Sequence, residues 1–406
     1  MDILASLFMN TDTQHAGGPM PRALNKVLCL GDFEPLAKRA LPRPLFGFIA
    51  GAAEDNRSLQ ANRSAFDDFA FIPRVMVDVS ARTQEVRLFG KTYASPFGIA
   101  PVGISALLAF DGDLVSARAA HEANVPAIMS GTSLIPMEEV AEQVPGTWFQ
   151  AYLPGDTARI DPLIDRIAAA GFETLVLTVD IPVWANRENN VRAGFSTPLR
   201  PSLRLAWDGM IKPRWVFGTM LPTLLHRGMP HFENSFATRG APILSRNAIR
   251  DTTGRDHLNW NDLARIRKKW KGPIVIKGIL SADDALLARK IGMDGIIVSN
   301  HGGRQLDGAA SPLRALPRIV DAVPDMPVMI DGGFRRGSDV LKAIALGASC
   351  VFAGRPFMYA AVVGGQPGVK RALQLLREEV DRNMAMLGVT RLDDLDGRYL
   401  MSKDHL

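Results

Sequence analysis

The 406-residue sequence has few of the features that mark secreted, metal-binding or membrane-spanning proteins. Its two cysteines, Cys29 and Cys350, lie far apart and match no disulfide or metal spacing, so we expect a reducing, cytoplasmic setting. No apolar run reaches the roughly 18 residues of a membrane-spanning helix. The apolar start, MDILASLFMN, has no basic leader and no small-residue cleavage site, and we therefore predict no signal peptide.

The charge is nearly balanced, since 47 Lys and Arg residues face 42 Asp and Glu residues and leave a net charge of +5. There is no long basic run, and we therefore expect no nucleic-acid partner. The small excess is either ordinary variation or a preference for anionic ligands or an anionic membrane face. Metal-ligand spacing is also missing, so no metal site is predicted. The histidines considered for such a site are His121, His226, His231, His257 and His405.

Short apolar runs alternate with helical stretches through most of the chain. The runs rich in Val, Ile and Ala are 95–102, 126–131, 147–153, 173–180, 273–279, 295–300, 327–333 and 350–356. Between them, apolar positions recur three and four residues apart and a glycine often follows, as expected for helices with a C-cap. Eight such units predict an α/β fold, a closed (β/α)8 TIM barrel. A doubly wound open sheet is the alternative, but no GxGxxG follows the first run.

The domain boundaries follow from where this alternation begins and is interrupted. Residues 1–94 are predicted to form an N-terminal helical cap, 95–390 the barrel and 391–406 a C-terminal tail. The interruption after the fourth strand, residues 181–258, is too long for a structureless loop, so we interpret it as an insertion that acts as a lid, a binding loop or a docking surface.

Polar residues occupy the ends of seven of the eight predicted strands, where a barrel of this kind builds its active site. They are Ser130, Gln150, Tyr152, Thr178, Asp180, Lys277, the stretch SNHGGRQLDG at 299–308, Asp331, Gly354 and Arg355. Packing does not explain so many polar strand ends, whereas a ligand does. The stretches DGGFRRG and AGRP place Gly332, Gly333 and Arg335, together with Gly354 and Arg355, where backbone N–H groups and guanidinium groups can bind a phosphate.

These motifs give the chain a resemblance to a known family. SNHGGRQLDG, TVDIP followed by NRENN, FQAYL, VIKGI, and DGGFRRGSDVLKAIALGA with FAGRP resemble the FMN-dependent 2-hydroxy acid dehydrogenases and oxidases, in register from about residue 35 to about residue 385. The family includes glycolate oxidase and the lactate and mandelate dehydrogenases. The resemblance implies FMN as cofactor, an (S)-2-hydroxy acid as substrate and a homotetramer or larger assembly.

The resemblance also implies a role for each motif residue. His301 would be the base and Asp180 would orient its ring; Arg304 and Arg187 would bind the substrate carboxylate, and Tyr152 would donate to the substrate hydroxyl. Lys277 would lie beside the part of the flavin that gains negative charge. The remaining expected flavin contacts are Pro101, Val102, Gly103, Ser130, Gln150, Thr178, Ser299, Asp331, Gly332, Gly333, Arg335, Gly354 and Arg355.

Three departures or choices within the family pattern narrow the expectation. Phe48 stands where the family usually has a tyrosine that binds the carboxylate, which argues against glycolate and for a lactate-sized or bulkier, even aromatic, side chain. In NRENN, Asn186 and Asn190 differ from the usual residues, so Arg187 is a weaker candidate than Arg304. Gly103 stands where oxidases of the family tend to have alanine and dehydrogenases glycine.

The electron acceptor follows from the insertion. Residues 203–234 contain VFGTMLPTLL, which is flanked by Lys212, Arg214 and Arg227 and resembles the segment by which dehydrogenases of the family reach the membrane. We therefore expect electrons to pass to a quinone or another acceptor rather than O2, and attachment to the inner face of the cell membrane. The alternatives are a soluble lid and an H2O2-producing oxidase, a barrel that has lost turnover, or another FMN barrel such as an isomerase.

Overall fold

The computed structural model describes residues 24–196, 202–245 and 254–403. Eight parallel strands follow one another around a barrel, and a bridge between Ile99 and Ala127 joins the first strand to the second. The strands are Phe97–Ile99, Ile128–Ser130, Trp148–Ala151, Leu175–Thr178, Ile274–Ile279, Gly295–Val298, Val328–Asp331 and Cys350–Ala353. The predicted TIM barrel is thus confirmed. The apolar start and His405 lie outside the described residues.

A helix follows each strand and covers the outside of the barrel. These helices are Gly112–Glu122, Met137–Gln143, Ile160–Ala169, Trp260–Lys269, Ala282–Lys290, Pro312–Ala322, Gly337–Ala345 and Arg355–Leu387. The last of them is broken at Gly364 and Gly365, whose backbone angles are not helical. Because every strand is buried on both faces, the sequence needs continuous apolar runs there rather than an alternating pattern.

A hairpin, Val86–Leu88 and Lys91–Tyr93, packs against side chains that point into the barrel. Leu88 and Tyr93 are buried beside Trp148 and Phe352, and the Trp148 indole donates to the Tyr93 hydroxyl at 3.2 Å. The interior is therefore a packed core. The ligand site must lie at the other end, where the strands have their C-termini.

The cap contributes the helices Phe33–Ala40, Arg43–Ala50 and Arg57–Ser64, with short 3-10 turns at Leu24–Lys26, Leu30–Asp32 and Ala65–Asp68. The strand Phe69–Phe71 leaves the cap and pairs antiparallel with Leu400–Ser402 near the other end of the chain.

The helix Arg57–Ser64 depends on the loop after strand six. Its own N-cap residue, Asn56, makes no side-chain cap bond. Instead, the Asp307 carboxylate accepts from the N–H groups of Ser58 and Asp55 at 2.8 and 3.1 Å. This contact fixes the cap against the end of the barrel.

The insertion is helical for much of its described length. It forms Glu188–Ala193, Leu203–Met210, Pro213–Trp215, a π-helical turn at Val216–Met220 and Leu221–Arg227. Between residues 203 and 229, which we call the apolar segment, eight large apolar side chains are exposed: Leu203, Trp207, Met210, Ile211, Phe217, Leu224, Leu225 and Met229. No helix in the described part of the chain is both long enough and apolar enough to cross a membrane.

Substitution Asp307→Ala should lower the free energy of unfolding by about 1–2 kcal/mol, because it leaves two N–H groups at the start of a helix without their acceptor. Burial raises the pKa of Asp307, but the N–H groups of Ser58, Arg57 and Asp55 outweigh this and lower the net pKa. The stabilisation is therefore fully present above the unfolded pKa of about 4 and is lost as the pH falls through the lower folded value.

Urea unfolding at pH 7 and near pH 4 measures this effect. Asp325→Ala is the matched control, because Asp325 is largely exposed and pairs only with the partly exposed Arg289. Equal loss of stability in the two variants at pH 7 would contradict the role of Asp307.

Candidate active site

A pocket of about 1150 Å3 opens at the C-terminal end of the barrel strands and is bordered by the cap and the insertion. It gathers most of the predicted site residues. Those that line it are Phe48, Pro101, Val102, Gly103, Tyr152, Thr178, Arg187, Lys277, His301, Arg304, Asp331, Gly332, Gly333, Arg335, Gly354 and Arg355. The other predicted residues, Ser130, Gln150, Asp180 and Ser299, support the pocket from behind through hydrogen bonds to one another or to lining residues.

The charges of the lining residues are strongly unequal. Five arginines and one lysine line the pocket, and Asp331 is the one carboxylate among the described lining residues. Such a surface attracts anions. The cations form two groups. Arg187, Arg255 and Arg304 lie with His301 and Tyr152, whereas Arg335 and Arg355 lie with the glycines after strands seven and eight.

The loop after strand six explains the HGG motif. His301, Gly302 and Gly303 all have positive φ angles, of 58°, 65° and 76°. A Cβ atom on Gly303 would lie 2.6 Å from the backbone nitrogen of Leu59 in the cap, and one on Gly302 would lie 2.9 Å from the Arg355 guanidinium. The two glycines therefore permit the left-handed turn and the close approach of cap and loop. This turn carries the imidazole of His301 into the pocket.

His301 is held by Asp180 from the end of strand four. Its Nδ1 lies 3.0 Å from Asp180 Oδ1, and because an ionised carboxylate only accepts, Nδ1 carries the proton and Nε2 is the free acceptor. Burial lowers the pKa of His301, and Asp180 opposes this without reversing it. For Asp180, burial raises the pKa, but His301 and Lys277 outweigh it and keep the carboxyl ionised. A neutral base beside an ionised carboxylate results.

Lys277 is buried but keeps its charge. Its Nζ lies 3.0 Å from Asp331 and donates to Ser299 Oγ at 2.9 Å, and Ser299 Oγ donates to Asp331 at 2.6 Å. Burial lowers the pKa of Lys277, but Asp331 and Asp180 outweigh it, and the net pKa is raised. The ammonium is therefore a permanent positive charge in the floor of the pocket.

The cap positions Arg304 through carbonyl groups. The Arg304 guanidinium donates to Gly51 O at 2.6 Å and lies over the Phe48 ring, 5.1 Å from its centre. Arg187 donates to Arg304 O at 3.0 Å and to Gln305 Oε1 at 2.7 Å. The two arginines thus approach one volume from different loops, as the sequence predicted.

Arg335 and Arg355 form the second cationic group. Arg355 donates to Ile49 O, Gly51 O and Gly302 O at 2.9 to 3.0 Å. Within the described ranges, neither guanidinium has a carboxylate as an ion-pair partner. Burial lowers the pKa of Arg355 to about 10, with repulsion from Arg335 as a further cause. Two buried cations that repel each other suit a bound phosphate between them.

Between these groups, buried polar atoms face the pocket without partners. Gln150 Oε1 accepts from Ser130 Oγ at 3.3 Å, but Gln150 Nε2 and Thr178 Oγ1 have no hydrogen-bond partner among the residues described. Unpartnered buried donors are uncommon and favour a polar ligand here. Lys277, Gln150 and Thr178 thus offer hydrogen bonds to one edge of a flat ring, and the pocket fits a flavin with its phosphate at Arg335 and Arg355.

The sequence did not reveal every lining residue. Trp184, Ile181 and Arg255 come from the insertion and border the part of the pocket that contains His301. Arg255 lies over the Tyr152 ring, 5.4 Å from its centre. A tryptophan four residues after Asp180 is a signal that could have been used for Trp184. Arg255 stands far from every motif, and only the fold brings it to the pocket.

Comparisons with known proteins agree with this site. Residues 37–402 match the family model described as FMN-dependent dehydrogenase. An L-lactate dehydrogenase of Stenotrophomonas maltophilia is 40% identical over 373 residues, which cover 90% of this chain and 96% of that protein. The monotopic membrane protein (S)-mandelate dehydrogenase has a similar structure, with a TM-score of 0.83, 33% identity, and coverage of 93% of this chain and all of that one. A mandelate oxidase with (S)-2-phenylpropionate gives 0.76, 36%, 93% and 99%.

Substitution Arg335→Met should weaken FMN binding about tenfold or more, because it removes a charge-assisted hydrogen bond to the phosphate. Titration of the protein freed of cofactor, followed by flavin fluorescence, measures the dissociation constant. Arg318→Met is the matched control, since Arg318 is exposed on the helix Pro312–Ala322 outside the pocket. An Arg335→Met affinity within twofold of the unchanged protein would place the phosphate elsewhere.

Proposed function

We propose, from the premise that the chain belongs to the FMN-dependent dehydrogenase family, that it oxidises an (S)-2-hydroxy acid whose side chain is at least as large as that of lactate. The chain is an FMN-dependent 2-hydroxy acid dehydrogenase. The product is the 2-oxo acid, and a quinone or another acceptor other than O2 takes the electrons. The observation that carries the proposal is the neutral, Asp180-held imidazole of His301 opposite a pocket lined with cations.

His301 acts as the base. Its Nε2 accepts a proton from the substrate, and Asp180 then faces an imidazolium whose charge it stabilises. Because burial keeps the ring neutral before the reaction, the base is ready at neutral pH. Tyr152, whose ring centre lies 6.4 Å from that of His301, donates to the substrate hydroxyl oxygen.

Arg304 and Arg187 hold the substrate carboxylate. The Gly51 carbonyl and the Phe48 ring fix the Arg304 guanidinium, so little side-chain freedom is lost when the carboxylate binds. FMN, when bound, accepts the two electrons of the oxidation. The Lys277 ammonium stabilises the negative charge that develops on the ring, and Arg335 and Arg355 bind the phosphate.

The lining near His301 favours a large side chain. Phe48 offers no hydroxyl to the substrate, and Trp184 and Ile181 add apolar surface from the insertion. The structures of similar proteins include a mandelate dehydrogenase and a mandelate oxidase with an aromatic acid. This combination supports a lactate-sized or aromatic substrate for this chain.

Two features support an acceptor other than O2. Gly103 lies so close to Thr132 that a Cβ atom there would be 2.0 Å from Thr132 Oγ1, which keeps alanine out of this position unless Thr132 moves. The apolar segment exposes its large side chains, as expected of a surface that enters the membrane interface. We therefore place the protein on the inner face of the cell membrane. The alternative, a soluble oxidase that produces H2O2, draws support from the similarity to a mandelate oxidase.

The basic residues of that segment are used differently from the sequence-based expectation. Lys212 donates to Arg39 O in the cap at 2.8 Å, and Arg227 is paired with Asp111 and Glu139. Of the three flanking cations, Arg214 is the one exposed to solvent. Apolar area therefore contributes more to membrane attachment than charge does.

Substitution His301→Gln should retain FMN and slow flavin reduction by about 100- to 10,000-fold, because no base remains. Anaerobic stopped-flow mixing with L-lactate and (S)-mandelate measures the rate. Reduction within a few-fold of the unchanged protein would exclude His301 as the base.

The pH dependence tests the partner of that base. Since the reaction needs neutral His301, kcat/KM should rise as the pH rises through a pKa below the ordinary value of about 6.5 and stay level above it. Asp180→Asn removes the group that raises this pKa, so the acidic limb should move to lower pH while the plateau rate falls. A limb that moves to higher pH would contradict the assignment.

Substitution Phe48→Tyr should raise the kcat/KM for glycolate relative to (S)-mandelate by roughly tenfold, because the new hydroxyl can donate to the carboxylate and makes the pocket less apolar. Phe46→Tyr is the control on the same cap helix, since Phe46 stacks on Tyr359 and does not line the pocket. An unchanged ratio in Phe48→Tyr would contradict the role of Phe48 in selecting the substrate.

The double substitution of Phe217 and Leu225 by serine should move the protein from the membrane fraction to the soluble fraction, while substrate still reduces the flavin at an unchanged rate. Replacement of residues 211–232 by a short polar linker should do the same. Met386→Ser, an exposed apolar site far from the segment in sequence, is the control. Reoxidation by air as fast as turnover, without any membrane-bound fraction, would identify a soluble oxidase.

A further inference from the structure

We propose that a cavity beneath the apolar segment binds the headgroup of a quinone, an inference that rests on the proposed transfer of electrons to a membrane acceptor. The cavity, of about 490 Å3, lies between the helix Leu221–Arg227 and residues 134–136, which follow strand two. It is separate from the active-site pocket and shares no lining residue with it.

The shape and lining of the cavity fit an apolar ring with a long tail. Leu134, Ile135 and Pro136 form one wall and Met229 another. Met229 is also 39% exposed and belongs to the apolar segment, so the cavity and the exposed apolar surface are continuous. A quinone ring can enter the cavity while its isoprenoid tail stays in the membrane interface.

A buried hydroxyl group offers the ring a hydrogen bond. Thr223 lines the cavity and is 3% exposed, and its Oγ1 has no partner among the described residues. A buried hydroxyl without a partner is destabilising, and a quinone carbonyl would accept its proton. The preceding π-helical turn, Val216–Met220, is a form that occurs often at functional sites.

The charges around the cavity favour a neutral ligand over an anion. Arg227 lines the cavity, but its guanidinium is paired with Asp111 and Glu139. Arg239 is likewise paired with Glu233. Because these cations are already neutralised, the site has little attraction for a phosphate or a lipid headgroup, whereas a quinone carries no charge.

The position of the cavity suits electron transfer from the flavin. Ala106 lines it and belongs to the short turn Ser105–Leu107, which directly follows the residues expected to contact the flavin, Pro101 to Gly103. The Trp215 indole donates to Leu107 O at 2.7 Å and ties the apolar segment to this turn. One loop therefore has the flavin site on one side and the cavity on the other.

The transfer is balanced. Reduced FMN loses two electrons and two protons, and the quinone gains two electrons and two protons to become the hydroquinone. The electrons cross the loop, and the protons move through water. His226, which lines the cavity and is exposed, is placed to pass protons from solvent to the quinone oxygens.

Reoxidation of photoreduced enzyme by two acceptors tests the site without any substrate. The holoenzyme is reduced by light and mixed anaerobically with decyl-ubiquinone or with ferricyanide, and the ratio of the two rates is recorded. In Thr223→Val the ratio should fall about fivefold, because one hydrogen bond to the quinone is lost. Met229→Trp, which fills the cavity from its exposed side, should lower the ratio at least as much. Thr92→Val, at an exposed strand position, is the control and should leave the ratio unchanged.

The outcomes separate this proposal from the proposed function. If decyl-ubiquinone fails to reoxidise the unchanged enzyme, the quinone acceptor itself is wrong and this site falls with it. If it reoxidises the unchanged enzyme and both variants equally well, the acceptor stands and the cavity is not its site. A lower ratio in both variants with an unchanged control supports the site.

Discussion

Two backbone carbonyls of the cap, those of Ile49 and Gly51, connect the two ends of the active site. Gly51 O accepts from both Arg304 and Arg355, and Ile49 O accepts from Arg355. These groups lie at the C-terminal end of the cap helix Arg43–Ala50, where carbonyls lack helical partners and carry partial negative charge. The cap thus neutralises part of the charge of two buried arginines. The carboxylate group of the site and its phosphate group therefore depend on a single helix end.

The same economy of charge governs the rest of the pocket. Asp331 and Asp180 keep the buried Lys277 protonated, and Lys277 in turn helps to keep Asp180 ionised. His301 alone is left neutral, because burial outweighs the carboxylate beside it. One neutral base among fixed charges is the arrangement that a proton acceptor requires at neutral pH.

The local sequence predicted the barrel well, because each buried strand has to be a continuous apolar run and each run is followed by a helix of regular period. The predicted strands were longer than those observed, since residues such as Ser299 and Asn300 continue the apolar run in sequence but leave the ladder in space. The motifs also brought the right side chains to one pocket. Contacts that depend on distant loops were not predictable, and these include Arg255 over Tyr152 and Asp307 at the cap helix. Arg227 was expected at the surface, but two carboxylates from other elements bind it.

The pairing of Phe69–Phe71 with Leu400–Ser402 has a consequence for biosynthesis. The cap is made first on the ribosome, yet its partners are the loops after strands six and eight and a strand almost at the end of the chain. Its contacts span more than 200 residues of sequence, for example the 238 between Asn62 and Asn300. The cap must therefore wait for nearly the whole polypeptide before it can dock, and such non-local contacts form slowly. A nascent chain halted before strand eight would carry a barrel without its last wall and an N-terminal segment with nothing to cover.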